Sequence, residues 1–387
     1  MANYNSKKDN DKGIVDISSG SQVRKVYNKK GRSVRILCIV LSIIFLLGGS
    51  GLLYYYSILN SLEYESIVDV IDKDKGNDSQ KATLPEMMGS DSQLSLGTDD
   101  LLSDSKVLNV MLFGEDNANG SEHGRSDTMI MMSIDNRNRK LKLTSFQRDT
   151  YVYIPGYGYN KLNASYTYGG AKLSIQTIEA NFGIKVDRYA VVDFKSFIDI
   201  IDILGGIDLE LTNDEITYIN YQMYKNGQTD NPNLITDSAG VVHLKGQQAL
   251  WHARNRGLSI GEDGNTIGIQ GDDWDRTSRQ RQLIETLFND MKSASLPQII
   301  SIVGSVGPLV TTNLKKDEIT TLVSHSLKYL QYDVEQYYIP SRPELWYYDD
   351  YSEVGSVIKF TDLNQQRIEF AEFIYEDLIT GGTQSAQ

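Results

Sequence analysis

Cysteine is almost absent: Cys38 is the only one among 387 residues, and it falls inside an apolar segment. Everything downstream therefore lacks disulfides, thiolate zinc sites and a cysteine nucleophile, and must be held by core packing. Histidine is scarce as well. The four, at positions 123, 243, 252 and 325, show no metal-site spacing, and His252 is expected to serve packing. No GxSxG elbow, Walker A loop or dinucleotide fingerprint occurs. Positive charge is in deficit, with 38 Lys+Arg against 51 Asp+Glu and a formal net charge of −13. Nonspecific nucleic-acid binding is not expected of such a chain.

A long hydrophobic run occurs between Ile36 and Leu62, which contains no charged residue. A helix of that length reaches about 40 Å, more than the roughly 30 Å of a hydrocarbon core. One transmembrane helix is expected over residues 36–59, ending near the interfacial belt Tyr54, Tyr55 and Tyr56. The long polar stretch before it marks an anchor and not a cleaved leader. Lys25, Lys29, Lys30, Arg32 and Arg35 precede the span, whereas Glu63, Glu65, Asp69 and Asp72 follow it. The positive-inside bias makes residues 1–35 a cytoplasmic tail and the remainder extracytoplasmic, in a single-pass protein of the cell membrane. Residues 60–105, rich in Ser, Asp, Gly and Lys, are expected to form a flexible linker.

From Lys106 the pattern changes. Short apolar runs at Val107–Phe113, Met129–Ile134, Leu141–Phe146, Tyr151–Ile154, Tyr189–Val192 and Val334–Ile339 predict strands. Helical spacing appears at 173–182, 194–204, 246–254, 276–294, 314–330 and 362–378, with Gly183 and Gly205 placed as stops. Interleaving of this kind predicts a layered α/β/α domain with a mixed central sheet over 106–387. The polar stretch 213–240 and the glycine-rich 257–271 are expected to be surface loops, the second a mobile lid.

Three blocks carry the chemistry: GEDNANGSEHGRSDTM (114–129), FQRDTYVYIPGYGYNKLNASYTYGG (146–170), and WHARNRG (251–257) followed by GDDWDRTSRQRQ (271–282). Each pairs arginine with aspartate beside a predicted strand or helix end. Guanidinium groups hold phosphate oxygens by bidentate, charge-assisted hydrogen bonds, and clustered aspartates hold a hard cation bridging the same oxygens. Taken singly, a pair such as Arg148 and Asp149 is explained equally by a surface ion pair of about 0 to 1 kcal/mol. Arg276, Arg279 and Gln280 share one side of a predicted helix start, where free amides favour anions. The tyrosines at 151, 153, 157, 159, 166 and 168 suit either half-buried packing or stacking on sugar rings.

RSDTM, RDTYVYIPGYG, KLNASYTYGG, ALWHARNR and DWDRTSRQRQ follow the order and spacing of the LytR-CpsA-Psr family, which residues 105–295 resemble. The resemblance implies a phosphotransferase that moves a glycopolymer from an undecaprenyl-diphosphate carrier to a peptidoglycan hydroxyl. It implies Mg²⁺, with Mn²⁺ as the alternative, on Asp116 and Asp127, with Asp273 a further candidate ligand. Arg125, Arg148, Lys161, Arg254, Arg256, Arg276, Arg279 and Gln280 are then expected at the diphosphate. Arg148 is expected to act in catalysis, and Asp149 or Asp127 is the base; the choice stays open. The resemblance also implies a prenyl tunnel lined from 171–182 and 191–204, which core packing explains equally well. Gln147 departs from the family pattern, standing where proline usually precedes Arg-Asp, and Ala118 or its neighbour replaces an arginine. A pyrophosphatase using the same site, and a non-catalytic lipid-binding regulator, are the rival readings. The polymer itself, whether teichoic acid, capsule or another wall polysaccharide, is not written in the sequence.

Overall fold

The computed structural model describes residues 101–116, 124–228, 234–260, 266–269 and 272–376, with the short strand Ser95–Leu96. All belong to the unit Ser57–Gln387. The expected span 36–59 and most of the expected linker lie outside the described residues. Among the described residues no helix is long and apolar enough to cross a membrane.

A six-stranded sheet organises the domain. Its strands are β1 (Val107–Asp116), β2 (Arg125–Asp135), β3 (Lys140–Phe146), β4 (Arg188–Asp193), β5 (Thr311–Thr312) and β6 (Asp333–Ile339). They lie in the order β5-β4-β1-β2-β3-β6. The pairs β1–β2, β2–β3 and β4–β5 are antiparallel, whereas β1–β4 and β3–β6 are parallel, so the sheet is mixed. Alternation sorts the side chains onto two faces. Val107, Met111, Phe113, Met129 and Met131 pack against Ile175, Ile178 and Phe182 of helix Leu162–Phe182 and Phe370 and Ile374 of helix Leu363–Tyr375. Ile134, Leu141, Leu108 and Met132 turn the other way, against Phe288, Leu322 and Tyr332. Helices therefore cover both faces. The apolar residues of 171–182 mostly belong to the first of these cores.

A second core lies beside the sheet, where the hairpin Ile207–Leu211 and Gly240–Leu244 packs on helices Phe194–Ile203, Asn213–Lys225 and Gly246–Arg254. The expected loop 213–240 is thus corrected: it opens with a 13-residue helix. Thr212 and Glu215 form a capping box at its start, and Ile216, Ile219 and Met223 bury one stripe. In 257–271, Leu258–Ile260 pairs with Thr266–Ile269, so an antiparallel pair replaces part of the expected lid. Periodicity left several elements unassigned, among them the hairpin Ile207–Leu211 with Gly240–Leu244, the helix Leu296–Val306 and the hairpin Trp346–Tyr351 with Gly355–Phe360.

Helix Gly246–Arg254 is pinned closely. A Cβ at Gly246 would collide with the Ile198 backbone, and the Gly246 amide donates to Asp202 Oδ1 at 2.8 Å. His252 on this helix is fully buried. Burial pushes its imidazole down to about 4, against the opposing pull of Glu215, so the folded chain carries it neutral. An unfolded chain takes up that proton below about pH 6.5. Its contribution to stability is therefore intact above pH 6.5 and is lost as pH falls toward 4, at up to about 1.4 kcal/mol per pH unit. Denaturant titrations across that interval are expected to show the loss. A His252→Gln chain should be weaker at pH 7 but shallower in slope by about that amount; identical slopes would refute the assignment.

Candidate active site

The motif residues meet at one end of the sheet. Asp116 ends β1 and stands in register with Arg125, which opens β2, and Asp127 follows two positions on. β3 ends at Phe146 and delivers Gln147, Arg148 and Asp149 to the same end. Helix Gly246–Arg254 leads into Arg254 and Arg256, and the first turn of helix Asp273–Asp290 supplies Asp273 and Arg276. Lys161 closes the hairpin Tyr151–Ile154 with Gly158–Lys161.

Gln147 fixes the direction of the Arg-Asp pair. Its amide donates to the Ile339 carbonyl at 3.0 Å, its carbonyl accepts from Thr150 Oγ1 at 2.6 Å, and its carboxamide donates to Thr277 Oγ1 at 3.1 Å. The position where proline usually stands is thus held by hydrogen bonds, one of them to the helix that carries Arg276. Ala118 lies outside the described residues.

The charges interlock. Arg148 Nη1 lies 2.9 Å from Asp127 Oδ1, and its Nε is 3.3 Å from Asp149 Oδ2 and 3.4 Å from Asp273 Oδ1. Lys161 Nζ holds the other Asp149 oxygen at 2.9 Å. Arg276, with a side chain only 3% exposed, reaches Asp273 at 2.9 Å and Asp127 at 3.5 Å and donates to the Asp127 carbonyl at 3.0 Å. Arg256 approaches Asp273 at 3.7 Å and Arg254 approaches Asp116 at 3.8 Å. Arg254 also lies over the Phe194 ring, 4.6 Å from its centroid.

Burial alone would raise Asp127, but the guanidinium groups of Arg148 and Arg276 outweigh it and hold the carboxyl below its ordinary range. For Asp273 burial wins over Arg276, Arg148 and Arg256, and the carboxyl sits above that range. Burial pushes Arg276 down to about 10, so it stays protonated at neutral pH.

Two of the expected residues do a different job. Arg279 turns to Glu215, at 2.8 Å, and donates to the Asn255 carbonyl at 3.1 Å; Gln280 donates to the Ala253 carbonyl at 3.4 Å. Both thereby brace the segment that presents Arg254 and Arg256, though Gln280 also lines a cleft with them. The expected free amides at this helix start are engaged instead, since the Asp272 carboxylate accepts from Trp274 and Asp275. Glu215, half-buried against Arg279, was missed by sequence reasoning, although its Thr-x-x-Glu capping spacing was visible.

Two clefts flank the Arg148–Asp127 pair. One, of about 290 Å³, is lined by Asp127, Arg254, Arg256, Arg276 and Gln280 with the rings of Phe194, Tyr218 and Trp251. The other, of about 440 Å³, is lined by Arg125, Arg148, Asp149 and Lys161 with Asn160, Asn163 and Tyr168. Among the described residues no group of three or more His, Cys, Asp or Glu side chains could hold a metal ion. Of the expected metal ligands, Asp116 and Asp127 lie on adjoining strands at this end of the sheet, and Asp273 is engaged by Arg276.

Fold and site together define an α/β domain with an arginine- and aspartate-rich cluster at one end of its central sheet. The chain matches the LytR_cpsA_psr family over residues 65–367 and belongs to that family. The match reaches past the motif blocks into the last helix. Among its relatives is Polyisoprenyl-teichoic acid--peptidoglycan teichoic acid transferase TagV of Bacillus subtilis (strain 168), 31% identical over 218 residues. That alignment covers 55% of this chain and 51% of TagV, about half of the relative's length. The crystal structure of B. subtilis TagV is similar at a TM-score of 0.53 and 27% identity, covering 70% of this chain and 98% of that one. YwtF (TagT), solved with bound octaprenyl pyrophosphate lipid, shares the fold at a TM-score of 0.50 and 21% identity, over 70% of this chain and 91% of that chain.

Removing Arg276 takes from Asp127 and Asp273 the more buried of their two shared counter-charges and leaves Arg148. Arg276→Met is expected to cost about 3 kcal/mol, the low end for a broken buried pair because Asp127 keeps some solvent contact. Chemical denaturation measures it, and a loss under about 1 kcal/mol would show the bridge to be dispensable.

Proposed function

We propose that this chain is a phosphotransferase that moves a glycopolymer from a polyprenyl-diphosphate carrier onto a hydroxyl of peptidoglycan. One observation carries the reading. Six cations, Arg125, Arg148, Lys161, Arg254, Arg256 and Arg276, surround four carboxylates, Asp116, Asp127, Asp149 and Asp273. The two-charge excess arises in a chain of formal net charge −13. An anionic ligand bearing about two charges completes such a site, and a diphosphate diester is one. The name of TagV and the lipid bound to YwtF (TagT) agree with that choice.

Phosphoryl transfer asks for positioning and charge neutralisation more than covalent help. Arg148 and Arg276 grip the diphosphate from the sheet side, with Arg254 and Arg256 facing them and Lys161 at the rim. The acceptor oxygen bonds to the phosphorus bearing the glycan, the bridging P–O bond breaks, and prenyl monophosphate leaves. The acceptor proton passes to Asp149, which lines the open polar cleft, whereas Asp127 is engaged by both Arg148 and Arg276. Asp116 and Asp127 would hold Mg²⁺, with Mn²⁺ as the alternative. When bound, that cation adds charge neutralisation at the diphosphate oxygens. Asp273 is already engaged by Arg276, Arg148 and Arg256 and serves to orient them. In this reading residues 36–59 anchor the chain and residues beyond them work outside the membrane, where peptidoglycan is found.

Arg148 bridges three carboxylates through its planar fork, which lysine cannot reproduce. Arg148→Lys is expected to keep the fold and lose about ten- to a hundredfold in transfer rate, as loss of about 1.5 to 3 kcal/mol of charge-assisted hydrogen bonding implies. Near wild-type turnover from a well-folded Arg148→Lys enzyme would remove it from the mechanism. For the cation, Asp127→Asn is expected to raise the Mg²⁺ concentration for half-maximal transfer by about tenfold or more. An unchanged requirement in both Asp116→Asn and Asp127→Asn would overturn that assignment.

A further inference from the structure

The two clefts are chemically unlike. The rings of Phe194, Tyr218 and Trp251 make the smaller one partly apolar. The larger one is lined mainly by amide, hydroxyl and charged groups, with Ala164 and Val354 its apolar members. They have no lining residue in common: Asp127 faces one and Arg148 the other.

In-line phosphoryl transfer places the attacking and leaving oxygens on opposite sides of the phosphorus. A phosphorus held at the Arg148–Asp127 pair therefore needs one approach for the acceptor and a separate exit for prenyl phosphate. The partly apolar cleft suits the lipid side, which leaves the polar cleft for the acceptor.

Its lip has the chemistry of a sugar platform. Tyr157 and Tyr168 are 58% and 40% exposed, yet their rings stack at 4.6 Å and 16°. The Asn160 carboxamide donates to Tyr168 Oη at 3.0 Å. Flat rings left to solvent beside amide groups match a pyranose, whose C–H face is apolar and whose edge is hydroxylated. A further wall is the turn of the Trp346–Phe360 hairpin, which contributes Val354. That wall is fixed, since the Ile358 amide donates to the Asp149 carbonyl at 2.9 Å and Tyr351 stacks on Tyr151 at 4.9 Å. Tyr166, by contrast, is buried against Phe113 and takes no part.

We propose that this second cleft binds the acceptor glycan strand, with Tyr168 and Tyr157 as the stacking platform and Asn160 and Asn163 as hydroxyl partners. The proposal rests on the transferase reading above. It puts the acceptor hydroxyl beside Asp149, which takes its proton as the new P–O bond forms and the bond to prenyl monophosphate breaks.

The test uses the full chain in lipid nanodiscs and two separate probes. One is a synthetic tetrasaccharide of alternating N-acetylglucosamine and N-acetylmuramic acid, the other geranylgeranyl diphosphate. Tyr168→Ser is expected to weaken tetrasaccharide binding about tenfold or more. Tyr168→Phe, which keeps the ring and loses the hydroxyl, should stay within about threefold, and both should bind geranylgeranyl diphosphate within about twofold of wild type. A wild-type chain that binds the diphosphate but not the tetrasaccharide, or a Tyr168→Ser chain with unchanged tetrasaccharide affinity, would overturn the acceptor assignment alone. Equal weakening for both probes would also overturn it, by giving the cleft to the donor. A chain that binds the tetrasaccharide but not geranylgeranyl diphosphate would support the saccharide site and overturn the transferase reading.

Discussion

The bridge that Arg276 makes between Asp127 and Asp273 is the constraint on which the site depends. Asp127 belongs to the central sheet and Asp273 to the helix packed beside it, so one buried guanidinium fastens two layers at the point where chemistry is proposed. A buried cation with two carboxylates costs desolvation free energy that packing of similar volume would not. Its retention at the sheet end is explained by geometry: with Arg148 it holds Asp127 ionised, and it fixes the orientation from which Arg148 takes Asp127 as its partner. Because Arg148 also touches Asp149 and Asp273, moving any one carboxylate displaces the rest.

The supports of this network lie one layer further out and are uncharged or fully paired. Gln147 ties the Arg-Asp turn to Thr277, one residue after Arg276. Arg279 and Gln280 hold the backbone carbonyls of Asn255 and Ala253, so the same helix that supplies Arg276 also sets where Arg254 and Arg256 point. A loosely held arginine loses rotamer entropy on gripping a phosphate. Bracing the backbone beneath Arg254 and Arg256 reduces that cost while leaving their side chains about 40% exposed for a ligand.

The sequence made the central strands legible because period-two alternation and bounding turn residues agree there, and the observed strands differ from expectation by only a few residues at their ends. It also brought together Asp127, Arg148, Asp149, Lys161, Arg256, Asp273 and Arg276, through motif blocks whose spacing is meaningful only once folded. Helix Asn213–Lys225 was read as loop because its polar residues dominate, although Thr212 with Glu215 and the Ile216, Ile219, Met223 spacing encode a capped amphipathic helix. Arg279 was misplaced for a different reason. Three residues along a helix rotate a side chain by about 60° from its neighbour, enough to turn Arg279 away from Arg276 toward Glu215, a partner 64 positions away that no local pattern announces. The Trp346–Phe360 hairpin escaped because its turn carries neither Asn-Gly nor Asp-Gly.

The two ends of strands β2 and β3 make the functional argument sharper than the site does alone. At the far end, Lys142 is fully buried, yet its ammonium meets Asp135 at 3.0 Å and Glu376 at 2.6 Å and donates to the Ile374 carbonyl at 2.9 Å. Lys140 is likewise held between Glu335 and Glu376. Both lysines are matched, and the cluster closes the last helix onto the sheet. At the near end the same two strands carry Arg125, Asp127 and Arg148 into a group where cations outnumber carboxylates by two and open clefts reach them from two directions. If both clusters were merely structural, the same rule of matching would be expected at both ends. An excess of cations at the end with open access is what the proposed binding of a doubly charged anion requires.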